Sequence, residues 1–272
     1  MADLQLLLGR TGAARIALIP PPVLDALNKG LIETVNLNEF LAIDLARLTA
    51  SVATQIGLDA RDERLSDTLA MLGAFKPMKR HLHVARALYD LTAIHSERDA
   101  IAHRLATHAS DVARCWAAQW VMLSELASPD KLHSVRRFAA DRHFGVRETA
   151  WMAVRDELVA APDSAVSLLQ PWVLDRDPNI RRFASELTRP RGVWCAQIEV
   201  LKAEPWRALR LLEPLRADPS RYVQNSVANW LNDASKSQPQ WVGELCERWL
   251  NESAAPQTRY IVQRALRTLS KQ

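Results

Sequence analysis

The sequence predicts an all-α fold, a right-handed α-solenoid of HEAT-like helical repeats, and three observations carry that expectation. Apolar residues recur at helical spacing along the chain, with no β-hairpin signal between them. Prolines punctuate the second half at Pro129, Pro162, Pro178, Pro219, Pro239 and Pro256. A proline in the first turn of a helix is a start signal, because that turn has no use for its missing N–H. Finally, Val112, Val146, Ile180, Val223 and Ile261 occupy similar places in successive helices, 34, 34, 43 and 38 residues apart. Periods of about 35–45 residues with two helices each mark stacked helical repeats. Such arrays bind extended ligands along one concave face.

Taken in order, residues 1–22 read as irregular and end in Pro20-Pro21-Pro22, which is expected to lie outside any helix. Helices are predicted over Val23–Asn28, over Leu37–Ile56 and from Leu65 to about Leu91. Asn36 or Asn38 is placed to cap the second and Ser66 to cap part of the third. Leu41, Leu45, Leu48 and Val52 form a stripe on that second helix. Helix pairs become regular from about residue 97. The expected organisation is a single solenoid domain over 1–272, with 1–96 as its N-terminal helical part and 97–272 as regular repeats bearing the site.

The chain has 272 residues, 48% of them hydrophobic, and only 8 glycines, enough apolar material for a sizeable core and a composition that favours helices. Its formal charge of +4 is unevenly placed. Residues 1–129 hold 13 Lys/Arg against 14 Asp/Glu, whereas 130–272 hold 22 against 17, so the positive excess lies in the repeat half. Arg outnumbers Lys by 28 to 7, which suits a phosphate-bearing partner. Cys115, Cys195 and Cys246 are far apart and belong to no CxxC pattern, so reduced, packed thiols are expected. The histidines lack a completing ligand set; no metal and no cofactor are expected. No apolar run is long enough to span a bilayer. A cytoplasmic monomer without membrane association is the expectation. There is no P-loop and no GxSxG.

The polar faces of the repeats supply the candidate chemistry. After Pro219, the residues Val223, Val227, Trp230 and Ala234 face inward, while Tyr222, Ser226, Asn229, Asp233 and Lys236 share another face. Spacing alone favours a solvated surface with an Asp233–Lys236 pair. One repeat earlier, Ile180, Phe183, Ala184 and Leu187 pack, and Arg182, Glu186 and Arg189 align as a surface ion-pair trio or as part of a site. The loop that follows, Arg189-Pro190-Arg191-Gly192-Val193-Trp194, puts two arginines and a tryptophan beside a helix end. Such a Trp is either a lid over the core or a stacking surface for a base. Earlier still, Glu148, Trp151 and Arg155 line up. Three acids, Glu148, Glu186 and Asp233, thus fall on first helices of consecutive repeats. Carboxylates on a basic groove repel one another and DNA, a cost that calls for a functional account.

The run Ala184-Ser185-Glu186-Leu187-Thr188-Arg189-Pro190-Arg191 to Trp194, and the run from Tyr222-Val223 through Ser226-Val227-Ala228-Asn229 to Asp233, resemble the HEAT-like DNA alkylation-repair glycosylases of the AlkC/AlkD superfamily, the AlkC branch above all. Val146-Arg147-Glu148 and Leu41-Ala42-Ile43-Asp44 are shorter matches to the same branch. The resemblance implies hydrolysis of the N-glycosidic bond of alkylated bases in double-stranded DNA, chiefly 3-methyladenine, with 3-methylcytosine as a further candidate. It makes Glu148, Glu186 and Asp233 the catalytic acids and Trp194 the aromatic beside the lesion, with Trp151 a weaker second. Arg189, Arg191, Ser226, Asn229 and Lys236 are the expected DNA contacts. The sequence departs from the family at Leu187, where Gly is expected, and at Gln224-Asn225, where basic residues are expected. Such enzymes are expected to act without drawing the base into a deep pocket, unlike base-flipping enzymes. The competing reading is a non-catalytic module of the same fold that binds DNA or protein.

Overall fold

A computed structural model describes residues 7, 9–93, 95–192 and 195–269. Among these residues there are sixteen α-helices and no strand. They are α1 (Pro21–Asn28), α2 (Leu37–Ala42), α3 (Leu45–Ile56), α4 (Glu63–Met71), α5 (Pro77–Thr92), α6 (Arg98–Ala106), α7 (Asp111–Leu123) and α8 (Ser128–Ala139). The series continues with α9 (Phe144–Val159), α10 (Pro162–Leu169), α11 (Pro178–Leu187), α12 (Glu199–Ala203), α13 (Leu209–Leu212), α14 (Arg221–Ser235), α15 (Pro239–Glu252) and α16 (Pro256–Ala265). No helix among the described residues is long and apolar enough to cross a membrane.

Proline marks the first turn of α1, α5, α8, α10, α11, α15 and α16. The triple proline is therefore a helix start and not an irregular break: Pro21 and Pro22 open α1, where their absent N–H groups cost nothing. Pro219 differs from the other breaks, since α14 begins only at Arg221, after Ser220. The predicted helix over 37–56 is two helices. Asp44 interrupts it, its side chain accepting from the N–H groups of Ala46 and Arg47 to cap α3. The stripe breaks with it, for Leu48 and Val52 are buried but Leu41 is exposed. Asn36 caps α2 through Glu39 N–H, and Asp62 caps α4 where Ser66 was expected to act.

The residues form two compact units: 1–125 with 142–149, and 126–141 with 150–272. In the first, α5 packs on α7 and α4, and α6 on α7 and α3. A buried ionic network ties its loops together. Asp111, wholly buried at the start of α7, accepts from Thr34 N–H at 2.9 Å and Thr34 Oγ1 at 2.7 Å. His143 Nδ1 lies 3.3 Å from its carboxylate. Arg114 pairs with Glu33 and donates to the carbonyl of His108, and Glu39 receives Arg10 at 2.6 Å.

In the second unit α14 is central, packed against α11, α15 and α16. The predicted inward stripe of Val223, Val227, Trp230 and Ala234 is fully buried, as are Ile180, Phe183, Ala184 and Leu187 on α11. Because neighbours flank α14 on more than one side, Gln224, Ser226, Asn232, Asp233 and Ser235 are buried too. The polar face read from spacing is thus partly interior.

Candidate functional site

Glu186 on α11 and Asp233 on α14 meet around one guanidinium. Arg189 donates from Nη1 to Glu186 Oε2 at 3.1 Å. Its Nε and Nη2 donate to Asp233 Oδ2 at 3.0 and 2.8 Å. Arg182 Nη2 stands 3.4 Å from the other oxygen of Glu186, and Lys236 Nζ donates to the other oxygen of Asp233 at 3.3 Å. Both acids were expected at the surface, yet Glu186 is only 3% exposed and Asp233 4%. The inter-helix packing of α11 and α14 encloses them, and their cations form the lid. Burial disfavours the charge on Arg189, but the attraction of Glu186 and Asp233, with their hydrogen bonds, outweighs it and raises its pKa.

The loop after α11 is held from beneath by Arg155 of α9. The alignment of Arg155 with Glu148 and Trp151 suggested a common polar face, but Arg155 is only 1% exposed. It donates to the carbonyls of Leu187, Arg189 (2.7 Å) and Ala196 (3.2 Å), with a long contact to that of Glu186 (3.5 Å). It thereby satisfies carbonyls that the end of a helix leaves without partners. Desolvation lowers its pKa. Trp230 Nε1 fixes the neighbouring Thr188 carbonyl at 3.0 Å. An added Cβ at Gly192 would meet Cys195 Sγ at 2.1 Å, so the thiol would have to turn away. Burial raises the pKa of the Cys195 thiol.

The remaining expected site residues fall in different places. Trp194 lies outside the described residues. Trp151, expected near the substrate, is an interior residue at 5% exposure, with the Arg155 guanidinium 5.8 Å from its ring centre. Ser226, expected to touch phosphate, is buried, its hydroxyl 2.5 Å from that of Ser185. Arg191 is half-buried and wraps the end of α14, donating to the Asp233 carbonyl at 3.3 Å and Ser237 Oγ at 2.6 Å. Asn229 accepts from Arg267 at 3.0 Å. Lys236 keeps the most exposed cation of the cluster. Glu148 is half-buried on the part of α9 that belongs to the first unit. The departures at Gln224-Asn225 are explained locally: Gln224 donates to the Asp218 carbonyl and Asn225 accepts from Tyr260, so both serve packing.

Sequence reasoning missed Arg155 as a clamp, Ser185 as the partner of Ser226, and Arg267, whose guanidinium reaches Asn229. No periodicity signals a buried arginine. The polar-and-Pro/Gly loop at 188–192, whose carbonyls need donors, was the available clue.

The solved structure of the alkylpurine DNA glycosylase AlkC of Pseudomonas fluorescens, bound to DNA containing an abasic-site analogue, matches with a TM-score of 0.68 at 29% identity. The match covers 84% of this chain and 62% of that one. The chain shares the AlkC/AlkD helical-repeat fold. AlkD2 of Streptococcus mutans matches with a TM-score of 0.55 at 20% identity over 75% of this chain and 97% of that one. The protein smu.31 of Streptococcus mutans UA159 gives 0.54 at 21% over 74% and 97%. At those identities the likeness is one of fold. The uncharacterized protein YhaZ of Bacillus subtilis (strain 168) is 38% identical over 123 residues, 45% of this chain and 34% of its own length. The chain thus spans about a third of YhaZ and less than two thirds of AlkC. No protein-family model matches the sequence.

Proposed function

We propose that the protein is a DNA glycosylase that hydrolyses the N-glycosidic bond of cationic alkylated bases in duplex DNA, 3-methyladenine first among them and 3-methylcytosine next. The observation that carries this reading is the meeting of Glu186 and Asp233, from separate repeats, on one cation beside a basic loop. An N3-alkylated base is positively charged, so it leaves without being protonated. What the protein supplies is negative charge for an oxocarbenium-like sugar and a carboxylate to aim water, as in glycoside hydrolysis. Neutral bases leave poorly, so the lesion itself provides much of the selectivity. Glu148 joins the two acids in this proposal through the resemblance. The AlkC match at 29% identity, a glycosylase on DNA, supports the same class.

Incubation with N-methylated duplex DNA, followed by chromatography of released bases, tests the proposal. Release of methylated purine by the wild type and its loss in Asp233→Asn is the expected result. The alternative, a non-catalytic DNA- or protein-binding module, draws on the fact that Arg182, Arg189 and Lys236 already neutralise both acids. Binding to abasic-site DNA with no base release by any variant would select it.

A further inference from the structure

The ionic cluster around Glu186 and Asp233 is already over-supplied with positive charge. Arg182, Arg189 and Lys236 all pair with these two carboxylates, and Arg267 lies alongside through Asn229. A cationic ligand brought to this pair would add a fourth positive charge to the three already facing two carboxylates, unless a resident cation left. Arg182 pairs with Glu186 and Lys236 with Asp233, whereas Arg189 bridges Glu186 and Asp233. Its side chain is 18% exposed, so the guanidinium reaches solvent. Its main chain is anchored: its carbonyl accepts from Arg155 at 2.7 Å, its N–H bonds the Glu186 carbonyl at 3.2 Å, and the Thr188 carbonyl is held by Trp230. Any movement is therefore confined to the flexible side chain, with the loop left in place.

We propose that Arg189 is a displaceable internal cation. It keeps the Glu186–Asp233 pair closed to free cations until a phosphate of duplex DNA draws its guanidinium away, and the vacated pair then receives the cationic deoxyribosyl group. The identity of that ligand rests on the glycosylase reading; the exchange itself does not. A guanidinium forks as well onto phosphate as onto carboxylate, so the exchange trades one charge-assisted set of hydrogen bonds for another. Occupancy by Arg189 lowers the apparent affinity for a competing cation by the fraction of molecules in which the pair is open.

The test is calorimetric titration of the full chain with a pyrrolidinium iminosugar, a five-membered cationic sugar mimic, with and without an undamaged duplex. Without DNA, Arg189→Gln should bind this probe about tenfold or more tightly than wild type. Adding duplex should strengthen wild-type binding by a similar factor and leave Arg189→Gln nearly unchanged. Arg189→Lys, a point charge that cannot fork onto both acids, should fall between them, and it carries the test if the Gln variant melts early. Three results would each overturn the proposal: wild type binding the probe equally well with and without duplex, Arg189→Gln binding no tighter than wild type, or an equal gain in Lys236→Gln. If wild type released no methylated base while this pattern held, the glycosylase reading would fall and the exchange would stand. Base release without the pattern would remove the exchange alone.

Discussion

Both units bury carboxylates, and Asp111 in the first is satisfied differently from the Glu186–Asp233 pair in the second. In the first unit Asp111 is bonded by a backbone N–H, a threonine hydroxyl and an adjacent imidazole, all short groups fixed by the fold. In the second, Glu186 and Asp233 are bonded by the long side chains of Arg182, Arg189 and Lys236. An acid held by main chain has nothing to exchange. An acid held by flexible cations can trade one partner for another at little cost to the scaffold. Burial alone therefore does not separate Asp111 from Glu186 and Asp233; the kind of partner does.

The sharpest way to break that comparison is to neutralise each acid in turn. If Glu186 and Asp233 face the positive charge that develops on the sugar, Glu186→Gln and Asp233→Asn should each lower single-turnover base release by on the order of 10²-fold or more. Glu148→Gln should slow release as well. The variants should also melt lower than wild type, because a buried acid leaves its cations behind when it is removed. Rapid-quench assays at saturating enzyme would decide the matter, and wild-type rates for Glu186→Gln and Asp233→Asn would eliminate this mechanism.

Asp111 should show the opposite pattern. Asp111→Ala strands the Thr34 donors and should cost about 2–3 kcal/mol of stability, with base release by the folded fraction unchanged. Its pH dependence has a definite sign. Burial raises the Asp111 pKa above its ordinary 3.8, against the lowering influence of His143, the Thr34 hydrogen bonds and Arg114. An acid with a raised folded-state pKa contributes fully below the unfolded value and loses that contribution as pH rises through the folded one. The stability difference between wild type and Asp111→Ala should therefore be larger near pH 4 than near pH 7, as chemical denaturation at both would show.

How much of this was legible beforehand follows the same division. The helical repeats were, because Val146, Ile180 and Val223 recur at repeat spacing and proline fixes helix starts. The nearness of Glu186 and Asp233 was, since both sit at corresponding places on first helices of neighbouring repeats. Their burial was not. Ser226 and Asp233 share a face with Tyr222 by periodicity, but periodicity describes one helix, and the packing of α11, α15 and α16 around α14 decides what remains outside. Arg155 shows the limit most plainly: an arginine reads as surface unless the carbonyls it must satisfy are known.

Arg155 accordingly offers a smaller test, aimed at the loop and not the acids. Lysine preserves the charge but loses the planar fork that spans Leu187, Arg189 and Ala196. Arg155→Lys should cost about 1–3 kcal/mol, the usual penalty for buried polar groups left unpaired. Thermal melts would measure it. Faster hydrogen exchange at the amides of the loop after α11 should accompany the loss, and unchanged exchange there would show that the clamp lies elsewhere.

The mildest change, Ser226→Ala, discriminates between the two readings of α14. If its hydroxyl serves the fold, the variant loses one buried hydrogen bond to Ser185, worth about 1 kcal/mol, and both partners are small enough for the site to relax. Affinity for duplex DNA, and its fall with rising salt, should then match wild type, because no phosphate contact has been removed. Were Ser226 to turn toward the backbone on binding, affinity would drop as well, beyond the small loss of stability in the free protein. Fluorescence anisotropy across a salt series, set beside a melt of the free protein, separates these outcomes. A loss of affinity there would return Ser226 to the DNA-binding face that its spacing along the helix first suggested.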